Sequence, residues 1–166
     1  MRRFCATLLI LASATQLTLA ATGEKQEEFK RLIGKWNCTA KTVDSPDKKG
    51  YTYEATYEVK PLLGGKGVME DYKEKANKDH KSPYSTNGIW GYDSTLGKFT
   101  GYNIDNNGGT SIRTSTGWAA DTWTWEVGDG LRFVSNEKGG KSLTMAVDVK
   151  GKNGQWSNVN NLTCRK

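Results

Sequence analysis

The sequence predicts an all-β protein, an antiparallel up-and-down β-barrel of about ten strands with a short N-terminal helix. Three observations carry that reading. Short segments recur at intervals of about 8 to 12 residues between turn residues, the spacing of a sandwich or barrel. Tyr51, Tyr53, Ala55, Tyr57 and Val59 alternate with Thr52, Glu54, Thr56, Glu58 and Lys60, the period of a strand with one face buried and the other hydrated. Cys38 and Cys164 stand near the two ends of the folded region, where a bond between them would join the first strand to the last.

Taken in order, Met1 to Ala20 has the layout of a secretory signal: Arg2 and Arg3, an apolar run from Thr7 to Ala12, then small Ala20 and Ala21. It is too short to span a membrane. Cleavage after Ala20 leaves 146 residues, one domain over 21–166 with room for one core, and cleavage after Ala21 is the alternative. The leader takes two of the 24 basic residues with it, so the mature chain sets 22 Lys+Arg against 18 Asp+Glu. A balance of +4 aids solubility and implies no nucleic-acid partner. Such a chain is expected to be secreted or periplasmic. Cys5 leaves with the leader and precedes the apolar run, so it is no lipid-anchor site; the two remaining thiols, in an exported chain, are expected to pair. Closing so long a loop stabilises by about 4 to 5 kcal/mol in the chain-entropy model. The other reading is two buried, unpaired thiols.

From Glu24 to Ile33, the stripe Phe29, Leu32, Ile33 predicts a short amphipathic helix that Gly34 ends and that can plug one barrel mouth. Strands follow at Gly34 to Val43 and Tyr51 to Lys60, a turn at Pro61 to Gly65, and a strand from Lys66 to Glu74. In that strand the facing is ambiguous: Val68 and Tyr72 turn Glu70 inward, whereas Met69 would turn Asp71 inward. A polar loop, Lys75 to Ser85, holds His80. Then come strands at Thr86 to Tyr92, Lys98 to Ile104, Thr110 to Trp118, Thr122 to Val127, Leu131 to Asn136, Ser142 to Val149 and Gln155 to Cys164. Asn107-Gly108, Gly128-Asp129-Gly130, Gly139-Gly140 and Asn153-Gly154 separate them with residues that tolerate positive φ, as hairpins require.

The cysteine pairing also sets a register, because residues opposite one another on antiparallel strands have numbers of constant sum. Cys38 opposite Cys164 puts Trp36 against Lys166, Ala40 against Leu162 and Thr42 against Asn160 on one face. Asn37, Thr39 and Lys41 then meet Arg165, Thr163 and Asn161 on a wholly polar outer face. The two sequons there, Asn37-Cys38-Thr39 and Asn161-Leu162-Thr163, are read as chance matches.

A short helix leading into Gly34-Lys35-Trp36, followed by a run of up-and-down strands, resembles the calycin superfamily of lipocalins and fatty-acid-binding proteins. Leu62-Leu63-Gly64-Gly65 before Met69-Glu70-Asp71-Tyr72, then Ile89-Trp90-Gly91-Tyr92-Asp93 and Gly97-Lys98-Phe99, are similar to a bacterial lipocalin-like family catalogued as a domain of unknown function. The similarity runs from about Phe29 to Arg165. It implies a lipocalin-like barrel with an internal cavity and brings no settled activity. In lipocalins a basic residue near the chain end packs on the entry tryptophan, and register nominates Lys166 for that place.

Aromatic residues are numerous, and each either fills the core or lines a pocket; rings with polar tips suit an amphipathic ligand. Tyr53, Tyr57, Trp90, Tyr102, Trp123 and Trp125 are the candidates for ligand contact. No catalytic constellation is recognisable, since one histidine, read as a solvated loop residue, leaves no base and orienter for a nucleophile. That shortage also counts against haem, and no cofactor is expected. Asn103-x-Asp105-x-Asn107-Gly108 opens like a calcium loop, but its twelfth position is Thr114 where a bidentate Glu is needed, so a hairpin turn explains it and no metal is expected. Three functions follow. The first is an exported barrel that binds a small apolar or amphipathic ligand inside. The second is a structural or protein-interaction module with a packed core, whose basic loops (Lys48, Lys49, Lys73, Lys75, Lys78, Lys81) contact an envelope component. The third is an enzyme using an interior carboxylate, Glu70 or Asp71.

Overall fold

The computed structural model describes residues 24–47 and 49–166; the expected leader lies outside them. Eleven strands run in chain order: β1 (Gly34–Thr42), β2 (Thr52–Leu62), β3 (Gly67–Glu74), β4 (Ser85–Asp93), β5 (Lys98–Asp105), β6 (Thr110–Ser115), β7 (Trp118–Ala119), β8 (Thr122–Val127), β9 (Leu131–Lys138), β10 (Ser142–Lys150) and β11 (Trp156–Arg165). They form one antiparallel sheet in the order β6-β5-β4-β3-β2-β1-β11-β10-β9-β8-β7, and β6 also pairs with β8. That last pairing closes a ten-staved barrel, with β7 as a stub beside β8.

The closing pair has the register expected from the cysteines: Cys38 lies opposite Cys164, Ala40 opposite Leu162 and Thr42 opposite Asn160. The disulfide is formed. Trp36 is fully buried, and Lys166 Nζ lies 4.4 Å over its ring. Gly34 makes that stacking possible, because a Cβ there would come within 2.8 Å of Lys166 Cε and would sit on a backbone of φ +137°.

Three expected elements differ. The N-terminal helix is one turn over 24–27 that tightens into a 3-10 turn, Glu28–Arg31. The turn expected at 61–65 starts later, since β2 runs on through Pro61 and Leu62 before a short 3-10 turn, Leu63–Gly65. Pro61 is tolerated because β1 pairs with β2 only as far as Gly34 opposite Val59, so its missing N–H faces no neighbour on that side. The strand expected at 110–118 breaks at Gly117, φ +97°, where a Cβ would run into the Glu28 carboxylate and the Phe99 ring.

The helical segment plugs one mouth. Phe29 packs edge-on to Phe99 and stacks on Trp123, ring centres 5.1 and 5.9 Å away. Trp36 Nε1 donates to the Leu32 carbonyl at 2.9 Å, and the Trp118 indole donates to the Glu28 carbonyl at 2.9 Å. Arg31 ties the plug to the rim through Glu137 at 3.0 Å and Asp121 at 2.9 Å. The apolar core is concentrated at this end, leaving the other half of the interior for the cavity.

Candidate functional site

Inward-facing positions of β2, β3, β4, β6 and β8 to β11, with Leu32 of the plug and Tyr84 just before β4, bound a cavity of about 200 Å³ above the plug. Leu32, Trp90 and Trp125 lie toward the plug. Phe133, Met145, Val147 and Leu162 form one apolar wall, and Tyr57, Tyr72, Tyr84 and Thr86 face them. Trp90 fits because the residue opposite it on β5 is Gly101, where a Cβ would come within 2.5 Å of the indole. Large and small side chains thus alternate around the ring.

A polar cluster is set into this lining. Glu70 on β3 faces inward and is 3% exposed; Asp71 points outward and pairs with Lys73 at 2.7 Å. That resolves the facing of β3 in favour of Val68 and Tyr72. Asn103 Nδ2 donates to Glu70 Oε1 at 2.7 Å, with room for its amide provided by Gly88 on the strand between them. Arg113 Nη1 lies 3.5 Å from the same oxygen, and the guanidinium carbon sits 4.5 Å over the Phe133 ring. Burial pushes the Glu70 carboxyl above its ordinary range, and Arg113, Asn103 and the Tyr57 hydroxyl pull it only part of the way back. Burial and the Glu70 charge raise the Tyr57 phenol well above 10. Arg113 is 7% exposed, yet its Nε–H has no partner; across the barrel, Asn160 Oδ1 is likewise buried and unpartnered.

A second cluster sits at the open mouth. Glu74 accepts from the Tyr72 hydroxyl at 3.1 Å and from the Tyr84 backbone N–H at 2.9 Å, and its Oε2 lies 2.7 Å from His80 Nε2. Asn160 Nδ2 donates to the Tyr53 hydroxyl at 2.6 Å. Burial pushes the Tyr53 phenol up to about 12 and raises that of Tyr72 as well. His80 is therefore not a solvated loop residue. Its ring packs on Tyr51 and Tyr53, 5.2 and 4.9 Å away. Asn77 turns the 75–84 loop over the mouth by accepting from the Asp79 and His80 N–H groups and donating to the Thr52 carbonyl at 2.8 Å.

Of the six aromatic candidates, Tyr57, Trp90 and Trp125 line the cavity. Tyr53 is buried at its rim, and Trp123 is in the plug-side core between Phe29, Phe99 and Trp118. Tyr102 is a correction: it is half exposed on the outside, because β5 turns Phe99, Gly101 and Asn103 inward. The residues that sequence reading missed are Arg113, Asn103, Glu74 and His80. Arg113 was within reach, since constant sums carried across β4, β5 and β6 place it in the inward row of Trp90 and Gly101.

Asp105 Oδ1 accepts from the Asn107 and Gly109 N–H groups at 2.8 and 2.9 Å, so the calcium-like stretch is a capped hairpin turn. Among the described residues no group of three or more His, Cys, Asp or Glu side chains is placed to hold a metal, and no helix is long and apolar enough to cross a membrane.

Comparison with known proteins adds the fold and a family. A family model described as "Protein of unknown function (DUF1579)" matches residues 21–166. Among solved structures the chain is similar to Rv2717c from M. tuberculosis, with a TM-score of 0.67 at 13% identity over 86% of this chain and 96% of that one. No curated protein matches.

Proposed function

Because the chain belongs to the DUF1579 family of proteins of unknown function, its role has to be read from its own interior, and we propose that the barrel binds a compact amphipathic molecule there without covalent chemistry. The observation that carries this reading is the buried Arg113 Nε–H, unpartnered in a cavity whose lining sets Trp90, Trp125, Phe133, Met145 and Leu162 beside a few polar groups. A buried polar donor left bare is unfavourable unless something accepts from it. A ligand with a ring or short chain among the apolar residues and an acceptor group at Arg113 satisfies it. Asn160 Oδ1 on the far wall would accept from a donor on the same ligand. A cavity of about 200 Å³ lies below the usual pocket range of about 300–1,000 Å³, which favours one aromatic ring or a short acyl chain over a long-chain lipid.

The alternative, a solid module working through basic loops, has less support. Lys73 and Lys75 are already paired with Asp71 and Glu54, at 2.7 and 2.8 Å. We place the protein outside the cytoplasm, as a leader over 1–20 followed by a disulfide-closed domain implies; N-terminal sequencing of the exported protein tests that.

Trp90 and Trp125 report on the cavity directly. Titrating small aromatic and short-acyl acids and amides should give a saturable change in tryptophan fluorescence with at least one of them. Leu162→Phe, which fills the cavity from its wall, should abolish that change while leaving the fold's circular dichroism intact. Failure of every compound to give a saturable signal overturns the reading, as does binding that Leu162→Phe leaves untouched.

A further inference from the structure

The outer surface of β3 to β6 is apolar where a barrel surface is ordinarily polar. Met69, Ile89, Tyr102 and Ile112 lie directly opposite one another on successive strands, forming a ridge across four staves. Leu63 and Ile104 extend the patch, and these six residues are each between 40% and 77% exposed. At about 200 Å² for a fully exposed large side chain, they leave roughly 700 Å² of surface open, above the roughly 300–600 Å² that the largest patch of an ordinary monomer reaches. It also approaches the roughly 800 Å² per partner of a standard interface.

Beside the ridge runs a groove. Two residues further along each strand, the outward row is Gly67, Gly91 and Thr100, so the surface drops. The turn carrying Leu62, Leu63 and Lys66 forms the far wall, and the groove holds about 420 Å³. Ridge and groove are thus parallel neighbours on one face, offset by about 7 Å, twice the rise of a strand residue.

We propose that this face is a homodimer interface, with the ridge of each copy seated in the groove of the other. A twofold axis lying in the interface, parallel to the two rows and midway between them, makes that exchange. The charge pattern favours a second copy over a charged partner. Across the three outward rows from Gly67 to Thr114, the single charged side chain is Asp71, already paired with Lys73, and Lys66 on the groove wall is the cation beside them. A face whose rows carry one internally paired charge and a single cation at the groove wall is compatible with itself, even on a molecule that is basic overall. A charged partner would find only Lys66 there to pair with, and an anionic membrane would find most of its cations elsewhere.

Sedimentation equilibrium of the purified protein, from micromolar to submillimolar concentration, should show a monomer–dimer equilibrium. Ile89→Asp and Ile112→Asp each bring like charges together across a twofold interface and should weaken association on the order of 100-fold or more. Both sites are exposed, so the thermal unfolding of either monomer should stay near that of the parent. Thr144→Asp, on the outer face of β10, should leave the dimer unchanged. A protein monomeric at every concentration overturns the proposal, and so does a dimer that survives both aspartates. Sedimentation of monomeric protein with phosphatidylglycerol vesicles, lost in Ile89→Asp, would also overturn it by assigning the face to a membrane.

Discussion

Removing the Arg113 guanidinium should make the stability of this barrel depend on pH in a way that a single second substitution reverses. Arg113 and Glu70 are both more than nine-tenths buried; the ion pair is 3.5 Å long, and Asn103 donates to the same carboxylate oxygen at 2.7 Å. Arg113→Met keeps the length of the side chain and its packing on Phe133 but leaves Glu70 without a cation. Breaking a buried pair from one side costs about 3–5 kcal/mol. Glu70 limits the loss by holding a proton. Its native pKa already lies above its ordinary range through burial, and loss of Arg113 raises it further. A carboxyl with a raised native pKa favours the folded state fully below its unfolded value, near 4.3, and that contribution is lost as pH rises through the native value. Urea unfolding of Arg113→Met should therefore show a modest deficit near pH 5 that grows toward pH 8. Glu70→Gln in the same background should remove the growth. The double variant should be less damaged than the two singles together, by about 0.5–3 kcal/mol of coupling. A pH-independent deficit, or strict additivity, would refute the claim that the two groups act as one buried pair.

Three further outcomes follow from the geometry. Replacing Cys38 and Cys164 by serine opens a loop of 126 residues, and calorimetry should show a loss approaching 5 kcal/mol; less than about 1 kcal/mol would mean that the paired strands alone confine the chain ends. Gly34→Ala should cost about 1–3 kcal/mol, because it strains φ and displaces Lys166 from Trp36, whereas Gly139→Ala strains φ alone, in open space, and should cost less. Equal losses in urea unfolding would remove the Lys166 contact from the account. Tyr53, with its phenol pushed up to about 12, should stay neutral in the folded protein at pH 11, and stability should fall as pH climbs from about 10 through 12. Tyr53→Phe should flatten that fall, and an ultraviolet titration in which every tyrosine ionises near 10 would contradict the buried hydroxyl seen beside Asn160.

The barrel was legible because its strongest signals are redundant. Cysteine pairing, strand alternation and the Gly-x-Trp entry each point to β1 beside β11, and the register that follows holds from Asn37 opposite Arg165 to Thr42 opposite Asn160. Breaks in strands were less visible. Nothing in the sequence around Gly117 shows that Glu28, far earlier in the chain, occupies the place its Cβ would take. His80 was misread for a similar reason: a polar loop with one histidine looks solvated until the Asn77 side chain is known to fold it onto Tyr51 and Tyr53.

Tyr102, Met69 and Arg113 were obscured by one common cause. Alternation assigns faces by contrast between an apolar inside and a polar outside, and in β3 to β6 that contrast is inverted. Glu70, Asn103 and Arg113 point in while Met69, Ile89, Tyr102 and Ile112 point out. A slip of one residue would restore the ordinary pattern in any one of these strands, because it exchanges the two faces. Closure prevents it. In a barrel each stave is registered by both neighbours, and the chain of pairings runs back through β2 and β1 to the disulfide. Slipping β4 would turn Trp90 out of its place over Gly101, and slipping β5 would pull Phe99 from between Phe29 and Trp123. The plug-side core therefore holds four strands in a facing that their other halves would not choose. That constraint produces both the polar cluster inside the cavity and the apolar face outside it.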